Sequence, residues 1–202
     1  MEVKDLSLAE IHSSILVCPD CPLSQSRTKA VPGEGHEKAR IMFIGEAPGW
    51  HEDQSGRPFV GQAGHFLDEL LDMVHIKREE VFITNIIKCR PPGNRDPLPN
   101  EVEACYKYLK RQIELIQPQV IVTLGRHSMA HFLPRESIGK IHGTWRWVDS
   151  HLCFAMYHPA AALHQQSLRR VIQEDILKLP QALAAAQKAV PEPEQPKQLS
   201  FL

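Results

Sequence analysis

Four short apolar runs limit what this chain can fold into. They occupy residues 41–44, 81–87, 120–124 and 152–157, and are built largely from Ile, Val, Phe, Leu and Met. Each is too short for a helix and too continuously apolar for a strand with one wet face, so each reads as a strand covered on both sides. The stretches between them carry helical spacing. Leu67, Leu70, Leu71 and Val74 fall at i, i+3, i+4 and i+7 on a helix running from Gly64 to about Val74. A second begins at Asn100 with Glu103 and stops before Pro118, and a short one covers about 126–132. Leu168, Val171, Ile172, Ile176 and Leu179 mark a long helix from about Ala160, broken at Pro180 and followed by an alanine-rich helix to about Val190. Ahead of all these, Ser7 and Glu10 form a capping box for a first helix. Residues 22–40 read as a loop, 140–143 as a flexible segment, and Trp145, Trp147 and Val148 as an edge strand.

The chain has 202 residues, 43% of them hydrophobic, which fits one domain over 1–188 and a Pro/Glu-rich tail over 189–202. No apolar run approaches the roughly 20 residues that a membrane span requires. The N-terminal segment lacks the pattern of a secretory signal. A cytoplasmic, monomeric protein is expected. The net charge of −1 neither announces a nucleic-acid binder nor excludes one with a local basic patch.

The residues capable of chemistry cluster at the ends of the apolar runs. The first run stops at Gly45 and opens into a glycine-rich loop bearing Glu46, Glu52 and Asp53, with the aromatics Trp50 and Phe59. Asn85 interrupts the second run, and His158 follows the last. If the strands are parallel, Glu46, Asn85 and His158 converge on one rim, where open α/β folds bind ligands. The amide of Asn85 offers a donor and an acceptor together, which suits reading a base edge. Cys18 and Cys21 form a C-x2-C turn, and Cys89 and Cys105 bracket a basic, turn-rich segment at 88–97. Four such thiolates hold zinc or an iron–sulfur cluster, and spacing does not decide which. Cys153 lies inside an apolar run and reads as a core thiol.

Four motifs in order, GEAPG with a following Glu-Asp, GRPFVGQAG, TNIIKCRPPGNR and the HPA after the last strand, together with the four cysteines, resemble the family-four, iron–sulfur uracil-DNA glycosylases over roughly residues 18–165. The resemblance implies a three-layer α/β/α sandwich around a four-stranded parallel sheet. It also implies a [4Fe–4S] cluster on Cys18, Cys21, Cys89 and Cys105, and removal of uracil from DNA to leave an abasic site. Carried over by residue, Glu46, Ala47 and Pro48 line the base pocket, Phe59 stacks on the base and Asn85 pairs with its polar edge. His158 faces the carbonyl that gains charge, and Glu52 lies where bulk would exclude a C5-methyl.

The best-known branch of that superfamily carries an Asp one residue after the position of Glu46. Here the residue is Ala47, so Glu46 is expected to position the water. The GEAPG and RPPGNR motifs differ from those of the covalent relatives, so hydrolysis without a covalent intermediate or lyase step is expected. Phosphate contacts are assigned to Lys88, Arg90, Asn94, Arg95, Lys140 and His142, and a wedge to Leu163. The terminal Gln198, Leu199, Phe201 and Leu202 resemble peptides that bind the bacterial sliding clamp. Two other readings are a non-catalytic iron–sulfur or zinc DNA-binding module and a glycosylase for another deaminated base such as hypoxanthine.

Overall fold

A computed structural model describes residues 6–189. The clamp-like peptide at 198–202 lies outside them. In chain order the elements are α1 (Leu8–Val17), β1 (Glu34–Gly35), β2 (Ile41–Gly45), α2 (Trp50–Ser55), α3 (Gln62–Met73), β3 (Phe82–Asn85), α4 (Pro99–Ile116) and β4 (Val120–Leu124). Then follow α5 (Gly125–Phe132), α6 (Ile138–Ile141), β5 (Thr144–Val148), β6 (His151–Met156), α7 (Pro159–His164), α8 (Ser167–Ile176) and α9 (Leu179–Ala189).

The sheet has six strands in the order β1-β3-β2-β4-β6-β5. Its four central strands are parallel and are the four apolar runs of the sequence. Both outer strands are antiparallel additions. β5 is the expected edge. β1 lies in the segment read as a loop, and two residues give no periodicity to read. It fits because Gly35 (φ 132°) has no Cβ: one placed there would sit 1.9 Å from the Val81 carbonyl oxygen.

Alternation along each central strand splits the core into two layers. Phe43, Ile83, Val122 and Phe154 face α3, α8 and α9, through Leu67, Leu70, Ile172 and Ala182. Met42, Ile44, Phe82, Ile121 and Cys153 face α1 and α4, through Ile11, Ile15 and Leu109. The result is the three-layer α/β/α sandwich, with Cys153 fully buried in it.

Several boundaries differ from the sequence reading. The loop after β2 contains the one-and-a-half-turn helix α2, and segment 138–141 is helical rather than irregular. The helix expected from Ala160 onwards is two, divided near Gln165. Pro180 lies in the first turn of α9, where its missing N–H leaves no bond unmade. α4 is capped through Glu101, whose carboxylate accepts from Leu98 N–H at 2.8 Å, rather than by Asn100 and Glu103. β3 ends at Asn85, yet Ile86 and Ile87 still donate to the carbonyls of Gly45 and Glu46 (3.0 and 3.2 Å). This pins the backbone of Glu46 beside the base of Asn85.

Candidate active site

Because β2, β3 and β6 run the same way, their carboxyl ends open on one cleft of about 510 Å³. Glu46, Ala47, Pro48, Glu52, Phe59, Asn85 and His158 all line it. So do Asn94, Arg95, Asp96 and His164, from the turn-rich segment and from α7.

Phe59 reaches the cleft through a strained backbone. Its φ of 49° is left-handed, which costs a non-glycine residue on the order of 1 kcal/mol. Three features hold it there. Glu52 Oε1 accepts from the N–H groups of Val60 and Gly61 at 2.9 and 3.0 Å, while Oε2 accepts from Gly49 at 3.1 Å. Gly64 gives room: a Cβ there would lie 1.9 Å from the Phe59 carbonyl oxygen. Gly45 gives room on the other side, since its Cβ would fall 2.8 Å from the Phe59 ring and 2.3 Å from Asn85 Oδ1. The Phe59 ring stacks against His158 at 5.5 Å between centroids. Glu52 thus spends its oxygens on backbone donors and acts as a clasp; contacts of that kind say nothing of a methyl gate.

Asn85 is 1% exposed, and its amide oxygen has no partner among the described residues. A buried unpaired acceptor costs about 1–3 kcal/mol, so one at a cleft wall is organised for a ligand. His158 caps α7: its Nδ1 accepts from Ala160 N–H at 3.1 Å. An accepting Nδ1 carries no proton, so the ring's hydrogen is on Nε2 and the side chain is a neutral donor. Burial agrees, pushing the His158 pKa down to about 4 against a smaller opposing effect of Glu52. Burial raises the Glu46 carboxyl; His127 and Arg126 oppose this, and Asp96 adds to it.

The residues assigned to phosphate fare differently. Lys88 is a correction: it is 1% exposed, and its Nζ donates to Thr84 Oγ1, the Asn85 carbonyl and Gln112 Oε1 at 2.6–2.8 Å. It cannot reach DNA from there. It ties the end of β3 to α4 instead. Arg95 grips the buried Glu101 with both terminal nitrogens, at 2.6 and 2.9 Å, fastening the segment, though it still lines the cleft. Arg90 and Asn94 bond to each other at 2.7 Å on the surface. His142 is held by the buried Asp175 (2.7 Å) and stands beside Tyr157, away from the cleft lining. Lys140 is exposed on α6, and Leu163, 43% exposed, projects from α7 next to His164. Sequence reasoning missed Asp96 and His127 near Glu46. The signal for His127 was its place in the first turn after β4, at the same rim as the other strand ends.

Cys18, Cys21, Cys89 and Cys105 line one small cavity with Arg27, Lys88 and Tyr108, all four as free thiols. Arg27 donates to Cys89 Sγ at 3.1 Å. Four thiolates on a single zinc would stand about 3.8 Å apart. Four thiolates lining one cavity are a donor set that either zinc or an iron–sulfur cluster accepts.

With this geometry in place, comparison with known proteins is decisive. The family model for the uracil DNA glycosylase superfamily matches residues 32–179. The chain belongs to that superfamily. Its relatives place it in the type-4 branch. It is 48% identical over 183 residues to the type-4 uracil-DNA glycosylase of Sulfurisphaera tokodaii, covering 86% of this chain and 83% of that protein. The type-4 enzyme of Saccharolobus solfataricus is 49% identical over 185 residues (87% and 86% covered). That of Archaeoglobus fulgidus is 45% identical over 182 (86% and 92%). Among the described residues, no helix is long and apolar enough to cross a membrane.

Proposed function

We propose that this type-4 uracil-DNA glycosylase removes uracil from DNA by hydrolysing its N-glycosidic bond, without a covalent intermediate or lyase step. The observation that carries the reading is the cleft itself: a stacking ring, an unpaired buried amide and a neutral imidazole donor meet at the ends of three parallel strands. A base must leave the duplex stack to enter such a cleft, at a cost of a few kcal/mol that is smaller at a mispair. Stacking on Phe59 returns about 1–3 kcal/mol. Asn85 pairs with the polar edge of the base, and a base that cannot pair leaves the amide unsatisfied.

In the reaction the C1′–N1 bond breaks and its electron pair passes to the uracil ring. Charge gathers on the ring carbonyl, where the Nε2–H of His158 donates a hydrogen bond. A neutral donor stabilises that oxyanion without giving up its proton. The sugar becomes oxocarbenium-like and is captured at C1′ by water. Glu46 orients that water and its charge favours the cation; the water's proton leaves to solvent, and the uracil anion takes one up.

In this reading the four cysteines would hold a [4Fe–4S] cluster, which their shared cavity supports. Bound there, the cluster supplies a covalent cross-link between the turn after α1, the segment after β3, and α4. A cytoplasmic location and a monomeric state are part of the same proposal. The tail at 198–202 remains proposed as a sliding-clamp ligand; equal clamp binding by full-length and tail-deleted protein would reject that.

The test of the main reading is incubation with duplexes carrying U·G, U·A, T·G or hypoxanthine·T, scoring abasic sites. Cleavage at uracil and not at thymine is expected. Cleavage confined to hypoxanthine, or DNA binding without cleavage, would overturn it.

A further inference from the structure

The first turn of α5 and the segment after Asn94 bring two residues to Glu46 that the mechanism above does not use. His127 Nε2 stands 3.8 Å from Glu46 Oε2 and 3.2 Å from Asp96 Oδ2. Among the described residues, these three side chains offer ligand atoms that lie mutually within 4.8 Å. The Nε2 atom is buried and has no well-formed hydrogen bond, so it sits between two carboxylates rather than serving one. Among the described residues, no hydrogen bond ends on the Glu46 carboxylate, though the Glu46 backbone is fixed through its carbonyl by Ile87 N–H.

Both neighbours are themselves held. Ser128 is fully buried, and its hydroxyl donates at 2.6 Å to the carbonyl of Ile44, two residues before Glu46. That bond locks the first turn of α5, and with it His127, against the end of β2. Asp96 is gripped by Arg126 at 2.6 Å and follows Arg95, which is anchored on the buried Glu101.

We propose that His127 and Asp96 are positioning residues that hold the Glu46 carboxylate at the mouth of the base pocket, His127 by attracting it and Asp96 by orienting His127 and repelling Glu46 from the rim. This rests on Glu46 acting on the water. The charged groups facing Glu46 are His127 and Arg126 from α5 and Asp96 from the segment before α4. The two sides act oppositely on its proton: His127 and Arg126 favour the carboxylate, and Asp96 disfavours it. Wild-type activity therefore falls as acid protonates Glu46. Removing His127 brings that fall on at higher pH, and removing Asp96 delays it to lower pH. Loss of Asp96 also releases Arg126, which acts in the same direction.

The experiment is single-turnover cleavage of a U·G duplex from pH 4.5 to 9 for wild type, His127→Gln, Asp96→Asn and Glu46→Gln, each checked for a cooperative melt. The expected result is an acid limb displaced upward by roughly half to one pH unit in His127→Gln and downward by a similar amount in Asp96→Asn. Damage to the fold would lower the plateau without moving the limbs apart. Limbs that stay put, or move the same way, while Glu46→Gln abolishes the acid limb would overturn the positioning role and leave Glu46 in place. A Glu46→Gln variant with the wild-type rate and limb would instead remove the role of Glu46, and the proposal with it. Asp96 is 59% exposed at its side chain, so its variant keeps the test open should His127→Gln fail to fold.

Discussion

Replacing Glu52 by Gln separates two roles for this residue. As a clasp, its carboxylate accepts three backbone N–H groups, from Gly49, Val60 and Gly61. Glutamine keeps one oxygen, which can serve Val60 and Gly61, but turns an NH2 toward Gly49 N–H, so one bond is lost and two donors face each other. The bonds kept also lose their charge assistance. Charge-assisted bonds contribute about 1.5–3 kcal/mol each and neutral ones about 1, so exchanging three of the first kind for two of the second is expected to destabilise the protein by at least about 2.5 kcal/mol. Part of that loss falls on Phe59, whose left-handed backbone is held by the same clasp. If the ring loses its stacking geometry, about 1–3 kcal/mol of substrate stabilisation goes with it, on the order of ten- to a hundredfold in kcat/KM on U·G. The assays are urea denaturation and single-turnover cleavage of U·G and T·G duplexes side by side. A clasp predicts a lower denaturation midpoint and slower uracil release, with thymine still refused. A variant of wild-type stability and uracil rate that gained thymine cleavage would refute this reasoning and make Glu52 the gate against a C5-methyl that the family resemblance implies.

Three further outcomes are expected. Burial holds the His158 pKa near 4 against an ordinary 6.5, so the unfolded chain binds more protons between those values. Stability should therefore fall as pH drops from about 6.5 towards 4, by up to about 1.4 kcal/mol per pH unit from this group, and fall less steeply in His158→Asn, as read by denaturation at each pH. Arg90→Gln should reduce the slope of log affinity for DNA against log salt by about one, whereas Lys88→Met should leave the slope unchanged and lower the melting temperature, because Lys88 bonds Thr84, Asn85 and Gln112 rather than phosphate. Gly64→Ala should destroy uracil cleavage, since its Cβ would fall 1.9 Å from the Phe59 carbonyl oxygen; a folded variant of normal activity would show that the loop can yield there.

The central sheet was legible because its information is local: four apolar runs, each ending in a residue that breaks the pattern, announce strands and rim together. Asn85 stands out for the same reason, a lone amide in Phe-Ile-Thr-Asn-Ile-Ile. What escaped the sequence depends on contacts distant along the chain. Lys88 looks like one more cation in a basic segment, and the third of its acceptors, Gln112, lies 24 positions on. The role of Glu52 depends on Val60 and Gly61 folding back over α2, which no periodicity encodes. His127 is hidden in a helix whose composition marks nothing, and becomes visible only once β4 is known to end beside β2. β1 was invisible because two residues cannot show an alternation.

Lys88 also limits how this protein can change over time. Asn85, which lines the cleft, and Cys89, which lines the thiol cavity, are separated by three residues, and the ammonium between them is nailed to α4 through Gln112. That stretch has no slack to absorb an insertion or a deletion: one residue more or less would turn either the amide out of the cleft or the sulfur out of its cavity. Descendants of this chain are therefore expected to keep the spacing from Asn85 to Cys89 fixed.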